Sequence, residues 1–282
     1  MKPSVAIAYR VYPGISKKPL YYPDNKLKLV TLGLKSLKQG LKGVNFHFYA
    51  ILDQCPESYE SVILKEMGED NTTILQASPS GNEATFTQQI EILLNQDFSS
   101  SVYFAEDDYL YLPESFKKML DFQKKFEKID FITPYNHPDY LDYDFQKIKR
   151  EKIDYENIQW MTVASTCLTF LTSKDVLKRT QQQLKTYTQG NPDAGMWLTL
   201  THEHLFNPLK WIKFKKKDWD SFTFIAKAWQ MSPIQILFQK KHLLWAPSPT
   251  LATHLESTRI ASEVPWDQYA KKWMQEVEKE IQ

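Results

Sequence analysis

Cysteine is nearly missing from this chain: Cys55 and Cys167 are the two among 282 residues, and they form no Cys-x-x-Cys pair. A disulfide scaffold is thereby excluded and a structural zinc site has little to start from. A reducing, cytoplasmic setting is the simplest expectation. Charge of one sign is lacking as well. Thirty-five Lys and Arg stand against 34 Asp and Glu, a net +1, without the basic excess of a dedicated nucleic-acid binder. No apolar run approaches the ~18 residues of a membrane span. Residues 1–9 hold too short an apolar stretch, with Arg10 directly behind it, to read as a signal peptide. A soluble protein is expected, with scope for contact at a membrane surface. There is no Walker motif, no Gly-x-Gly-x-x-Gly and no Gly-x-Ser-x-Gly, which disfavours P-loop NTPases, standard dinucleotide binders and α/β-hydrolases.

What is present is a large potential core. Apolar residues make up 42% of the chain and aromatics 14%, and the length suits one large α/β domain or two small ones. In the first half, strand-like and helix-like segments alternate. Residues 4–9 are a short apolar run stopped by Pro13 and Gly14. Leu27, Val30, Leu34, Leu37 and Leu41 step by three and four along one helical face. Residues 44–52 return to strand character and end at Asp53; 58–67 read as a helix and 72–76 as a strand. Ser80 and Glu83 resemble a capping box for a helix buried through Phe86, Ile90, Leu93 and Leu94. A strand over 101–105 follows, then a helix opened by Pro113 and a strand at 130–133. Such alternation implies crossover connections and a mostly parallel central sheet flanked by helices, an α/β fold.

The second half is less regular. Residues 137–155 are polar, rich in Tyr and Asp, and read as a long loop. Residues 160–171 are strand-like, 173–187 a helix capped by Ser173, and 265–281 a C-terminal helix. All eight tryptophans lie in this half; most are expected in the core. The lysines at 210, 213, 215, 216 and 217 could meet an acidic acceptor or a phospholipid surface, a solvated edge being the simpler reading. Residues 1–134 and 135–282 are taken as two halves of one compact domain.

The most informative segment is Glu106-Asp107-Asp108, three carboxylates at the end of the 101–105 strand. Adjacent acids repel and resist burial unless a positive group sits with them. Hard carboxylate oxygens suit a divalent cation, and a cation so held can grip a diphosphate; a solvated strand end is the alternative. Ligands of parallel sheets bind beyond the strands' carboxyl ends, and Arg10, Asp53 and the acids share that edge. Asp53 could accept from a nucleobase or ribose, or be a turn residue before Pro56. Gly81 and Asn82, at a helix start, offer backbone N–H groups to an anion. Asp193, bracketed by Pro192 and Gly195, could take a proton from a hydroxyl or cap a helix. His254 could ligate manganese or be an ordinary hydrogen-bonded residue. His202-Glu203-His204 is a reserve metal candidate.

Together these residues resemble a nucleotide-sugar-dependent glycosyltransferase of the GT-A type, most similar to the family-2-like group, over roughly residues 4–255. Glu106-Asp107-Asp108 corresponds to that fold's acidic DxD element. The resemblance implies that Asp108 and His254 bind Mn²⁺ or Mg²⁺, and that Glu106 or Asp107 contacts the ribose or the metal. It implies that Arg10, Val11, Tyr12 and Asp53 hold the base, that Gly81 and Asn82 open the donor-binding helix, and that Asp193 is the catalytic base of an inverting transfer. The donor would be a UDP- or GDP-type sugar, bound by residues 1–134; the acceptor, a glycan or other hydroxyl compound, would sit in residues 135–282. The Gln-x-x-Arg-Trp signature of processive members is missing, so a single transfer is expected. A nucleotidyltransferase and a non-catalytic carbohydrate-binding protein are the alternatives.

Overall fold

The computed structural model describes residues 2–15 and 18–281. In chain order the elements are β1 (Ser4–Val11), α1 (Lys26–Gly40), β2 (Asn45–Leu52), α2 (Glu57–Met67), β3 (Thr72–Gln76), α3 (Asn82–Asn95), β4 (Ser101–Glu106), β5 (Tyr109–Tyr111), α4 (Ser115–Lys125), β6 (Phe131–Ile132) and α5 (Asp139–Asp142). Then come β7 (Lys152–Tyr155), β8 (Ile158–Thr162), β9 (Phe170–Ser173), α6 (Lys174–Leu184), α7 (Asp193–Thr201), α8 (Pro208–Lys217), α9 (Trp219–Met231), α10 (Pro233–Phe238), β10 (Leu244–Ser248), β11 (Ala252–His254) and α11 (Trp266–Glu280).

Among the described residues one nine-stranded sheet runs β3-β2-β1-β4-β9-β6-β10-β8-β7, and β5 pairs with β11 in a separate ribbon. The pairings of β1 with β2 and β4, of β2 with β3 and of β6 with β10 are parallel. Only β8 and β9 run against the rest, as their antiparallel pairings require. The expected α/β architecture with a mostly parallel sheet is the one observed. Strands from both halves of the chain belong to the same sheet.

The alternation of side chains along a strand explains the unbroken apolar character of β1. Val5, Ile7, Tyr9 and Val11 enter the core under α1, α2 and α4, while Ala6 and Ala8 face the second core with Phe86, Ile90 and Trp197. Helix α11 lays Trp266, Trp273 and Val277 against Leu29 and Leu32 of α1. Helices α7 to α10 enclose a fourth cluster around Leu198, Phe214 and Ile225. Trp160, Trp197 and Trp245 are fully buried, Trp266 and Trp273 nearly so, and Trp219 is exposed.

Several local expectations are corrected. Ser80 caps nothing: the residue before α3 is Gly81, at φ 103°, and no side chain caps that helix. Pro113 precedes α4 by two residues, because Glu114 in the left-handed region forms the entry. The run 160–171 is two strands, β8 and β9, split by residues that turn toward the cleft described below. Both strands are largely buried, so hydrophobicity alone does not reveal the break. The 137–155 loop holds α5, a 3-10 turn at Asp144–Gln146 and β7. The ribbon of β5 and β11 was not anticipated; each strand is three residues long.

Candidate functional site

The sheet order reverses at β1. The crossovers β1-β2-β3 run to one side, and the chain then returns to place β4 on the other. A crevice opens beyond the carboxyl ends of strands at such a reversal. Here Arg10 of β1 and Glu106 of β4 are direct neighbours in register. The resulting cleft has a volume of about 610 Å³. Arg10, Val11, Tyr12, Asp53, Gly81 and Asn82 line it, as do Glu106, Asp107, Asp108, Asp193 and His254. All the candidates carried by the resemblance are therefore brought into one space, whereas the reserve metal candidates His202, Glu203 and His204 lie elsewhere. His204 bonds to the Phe145 carbonyl and to Lys210, and Glu203 pairs with Lys241.

The three acids have distinct partners. Glu106 Oε1 accepts from Arg10 Nη2 at 2.5 Å and its Oε2 from Thr169 at 3.0 Å. Asp107 accepts from Lys26 Nζ at 2.8 Å and from the Tyr12 backbone N–H at 3.1 Å. The positive groups expected beside Glu106 and Asp107 are thus supplied by the chain itself, through Arg10 and Lys26, and both carboxylates have both oxygens engaged. Asp108 differs. Its Oδ2 lies 3.2 Å from His254 Nε2, while Oδ1 is buried with no hydrogen-bond partner among the described residues.

Electrostatics follow these partnerships. Burial pushes the Asp107 carboxyl up, and Lys26 offsets this only in part. Burial acts on Asp108 in the same sense, but His254, Lys26 and Arg10 outweigh it and hold that carboxyl well below the usual range. Burial lowers the affinity of Arg10 for its proton, yet Glu106 beside it more than compensates. Arg10 also donates to the Asn82 carbonyl at 3.1 Å, joining β1 to the start of α3.

His254 is aimed by the ribbon, which sets it opposite Tyr109 in register. Its Nδ1 accepts the Glu256 backbone N–H at 3.0 Å, so the neutral ring carries its proton on Nε2, toward Asp108. Helix α1 packs closely behind this corner: a Cβ at Gly33 would stand 3.3 Å from the Tyr109 carbonyl oxygen. Asp53 is 5% exposed. Its Oδ2 accepts the Gly81 N–H at 2.7 Å and its Oδ1 has no partner among the described residues. The positive φ of Gly81, strained for any side chain, thus lets Asp53 fix the entry to α3. Asp193 is the first residue of α7 rather than its cap, and its Oδ1 accepts the Ala194 N–H at 2.7 Å.

No group of three or more His, Cys, Asp or Glu able to hold a metal occurs among the described residues. Asp108 offers one buried, unpartnered carboxylate oxygen, and His254 can add a nitrogen only by giving up the Nε2 proton. That set does not fit a cage built from protein alone. It fits a cation that keeps waters and takes its remaining ligands from a bound phosphate, as Mg²⁺ commonly does.

Sequence reasoning missed Lys26, Cys167, Leu168 and Tyr187, which also line the cleft. Lys26 left one sign: a lysine in the first turn of a helix, with no acid there, opposes the helix dipole and so needs a local anion. Burial pushes the Cys167 thiol up, which disfavours the thiolate a nucleophile needs.

No family model matches the chain, and no curated protein sequence matches it. Among solved structures, S. aureus TarS in complex with UDP is similar at TM-score 0.43 and 14% identity, over 70% of this chain and 54% of that one. Another TarS structure matches 64% of this chain but 30% of its own length. Glucosyl-3-phosphoglycerate synthase from Mycobacterium tuberculosis, with Mn²⁺, UDP and glucosyl-3-phosphoglycerate, matches at TM-score 0.42 and 6% identity over 78% of this chain and 68% of that one. CMP:2-keto-3-deoxy-manno-octonic acid synthetase with CTP matches at 0.40 and 11%, over 66% and 82%. At such values the function has to be argued from the cleft itself.

Proposed function

We propose that this chain is a glycosyltransferase that moves one sugar from a nucleoside-diphosphate sugar, of the UDP or GDP type, to a hydroxyl acceptor with inversion. The observation that carries the reading is the convergence of Asp53, Asp108 and Asp193 on one cleft, with a buried oxygen of each of the first two lacking a partner. Residues 1–134 form the donor side and 135–282 the acceptor side. Asp53 Oδ1 accepts from the base or ribose, and the strand end at Arg10, Val11 and Tyr12 borders the same pocket. The α3 start at Gly81 and Asn82 presents partial positive charge to a phosphate. Glu106 and Asp107 hold Arg10 and Lys26 in place beside it.

Asp108 and His254 are the residues that would hold Mn²⁺ or Mg²⁺; when bound, the cation supplies Lewis-acid stabilisation to a leaving diphosphate. In the transfer, the acceptor oxygen forms a bond to the anomeric carbon as the bond to the diphosphate oxygen breaks. Asp193 takes the hydroxyl proton, and the electron pair leaves with the nucleoside diphosphate. Among the described residues no helix is long and apolar enough to cross a membrane. Contact with a membrane surface is supported by exposed Ile234, Leu237 and Phe238 on α10; Lys240 and Lys241, just behind them, would add attraction to anionic lipid only beyond their pairing with Asp130 and Glu203.

The test is a thermal-shift series with UDP, GDP, their sugars and CTP, each with Mn²⁺ or EDTA, read beside product release. A ligand at 100 times its Kd adds about 2.7 kcal/mol of stability, so a binding nucleotide raises Tm. Release of nucleoside diphosphate from a UDP- or GDP-sugar supports the reading. Pyrophosphate release from CTP would assign nucleotidyl transfer instead, and no Tm shift with any nucleotide would remove both.

A further inference from the structure

A second cavity, of about 190 Å³, adjoins the main cleft and shares Cys167 and Asp193 with it. Pockets for drug-sized ligands span roughly 300–1,000 Å³, so this one has room for about a single ring. Its far wall comes from the 137–155 segment and from residues that separate β8 from β9.

Two buried polar groups of this cavity are incompletely satisfied. Gln146 is 3% exposed; its Nε2 donates to Ser165 Oγ at 2.8 Å, and its Oε1 has no partner among the described residues. Turning the amide over exchanges the ends and still leaves one unpaired. The Tyr140 hydroxyl, equally buried, interacts with Thr166 but has no partner in good hydrogen-bonding geometry, and the Thr166 hydroxyl is itself given to Thr133. Burial pushes the Tyr140 phenol up and Thr166 opposes this only in part, so it stays a neutral donor. Polar groups withdrawn from water this way await a partner that brings its own donors and acceptors.

Three aromatic rings, Tyr143, Phe145 and Phe224, share the wall with His137, two acids and the small side chains Ser165, Thr166, Cys167 and Ala194. The Tyr143 and Phe145 rings are 5.9 Å apart and the Phe145 and Phe224 rings 5.3 Å, flat surfaces for the C–H face of a ring. No lysine or arginine lines the cavity, whereas Asp139 and Asp193 do. Arg259 is paired with Asp139. Arg150 donates to the Tyr140 carbonyl at 3.3 Å and packs over that ring without lining the space. His137 also lines the space, but its Nδ1 accepts the Asp139 N–H at 3.0 Å, which leaves the ring neutral; a phosphate or carboxylate placed here would meet two acids and no uncommitted cation, and would lose its hydration.

We propose that this cavity is the acceptor subsite and that it takes an uncharged sugar ring, read by Gln146 and Tyr140, with one hydroxyl presented to Asp193. The assignment rests on the glycosyltransferase reading above and narrows its acceptor to neutral polyhydroxyl compounds. The experiment measures nucleoside-diphosphate release from UDP- and GDP-sugars with Mn²⁺. Each donor is tested alone, with methyl glucoside, galactoside and N-acetylglucosaminide, and with the 6-phosphates of the same glycosides. At least one neutral glycoside is expected to raise release tenfold or more over donor alone, and its 6-phosphate to lose most of that gain. Gln146→Leu should raise the acceptor KM roughly tenfold more than the donor KM, and Tyr140→Phe, which removes a single oxygen, should act in the same direction. Equal or better stimulation by the phosphates overturns the proposal. So does an acceptor KM unmoved in both variants, or stimulation by none of the glycosides while donor hydrolysis proceeds. Absence of any donor hydrolysis and of any nucleotide-induced Tm shift instead sinks the reading of the main cleft, and this one with it.

Discussion

Lys26 donates to Asp107 Oδ1 at 2.8 Å with side chains 9% and 12% exposed, so the first residue of α1 is clamped to the end of β4 by a nearly buried ion pair. Removing one partner strands the other charge. Lys26→Met should cost about 3 kcal/mol of unfolding free energy, and adding Asp107→Asn should restore more than half of it. Urea unfolding of both variants checks this. Because burial raises the Asp107 carboxyl despite Lys26, the folded state holds this proton more tightly than the unfolded one. Its contribution to stability therefore falls as pH rises above the unfolded value of ~3.9.

Asp193 stands at the N-terminus of α7, where one oxygen is held by the Ala194 N–H. Asp193→Asn keeps that hydrogen bond and removes the base. Transfer to an acceptor should fall by about 10²–10⁴ while Tm changes little. Near-normal turnover in this variant would cancel the base assignment.

Asp130 behaves opposite to Asp107. Burial raises its carboxyl, but His242, whose Nδ1 lies 3.2 Å away, the Leu243 N–H and Lys240 bring it below the ordinary value. A depressed carboxyl contributes stability above its unfolded pKa and loses it as pH falls through the folded one. Asp130→Asn should therefore be destabilised at pH 7 by about 1–3 kcal/mol, and the gap to the parent should close below about pH 4. Thermal melts from pH 3 to 7 decide it.

On α10, Ile234 is 68%, Leu237 57% and Phe238 82% exposed. Sedimentation with vesicles containing phosphatidylserine should pull down the protein at low salt and less so as salt rises. Replacing the three residues by serine should cut the bound fraction severalfold, with folding unaffected because they face solvent. Equal binding to neutral vesicles would point to apolar insertion without a role for the lysines.

Much of this site was legible because the clues were local. The apolar 101–105 strand ending in three acids, the stop of the first apolar run at Pro13 and Gly14 and the Asp that follows β2 each announce a strand terminus. Parallel-sheet logic then puts such termini on one edge. The cations on the acids were not legible. Lys26 reaches Asp107 across 81 positions of sequence, and nothing near the acids in the chain announces it. The capping role given to Ser80 failed for a related reason: Asp53, distant in sequence, takes hold of the Gly81 N–H.

By itself, then, the amino-acid order determined the alternation of strands and helices, the buried faces and the edge on which the acids lie, because propensity and periodicity act over a few residues. Only the tertiary structure decided which charge meets which. It set Arg10 on Glu106, Lys26 on Asp107 and His254 beside Asp108, and it left one oxygen of Asp108 without a partner. Coulomb and hydrogen-bond energies depend on separation in space, and separation in space is fixed by strand order and by a three-residue ribbon too short to show in the pattern of the chain.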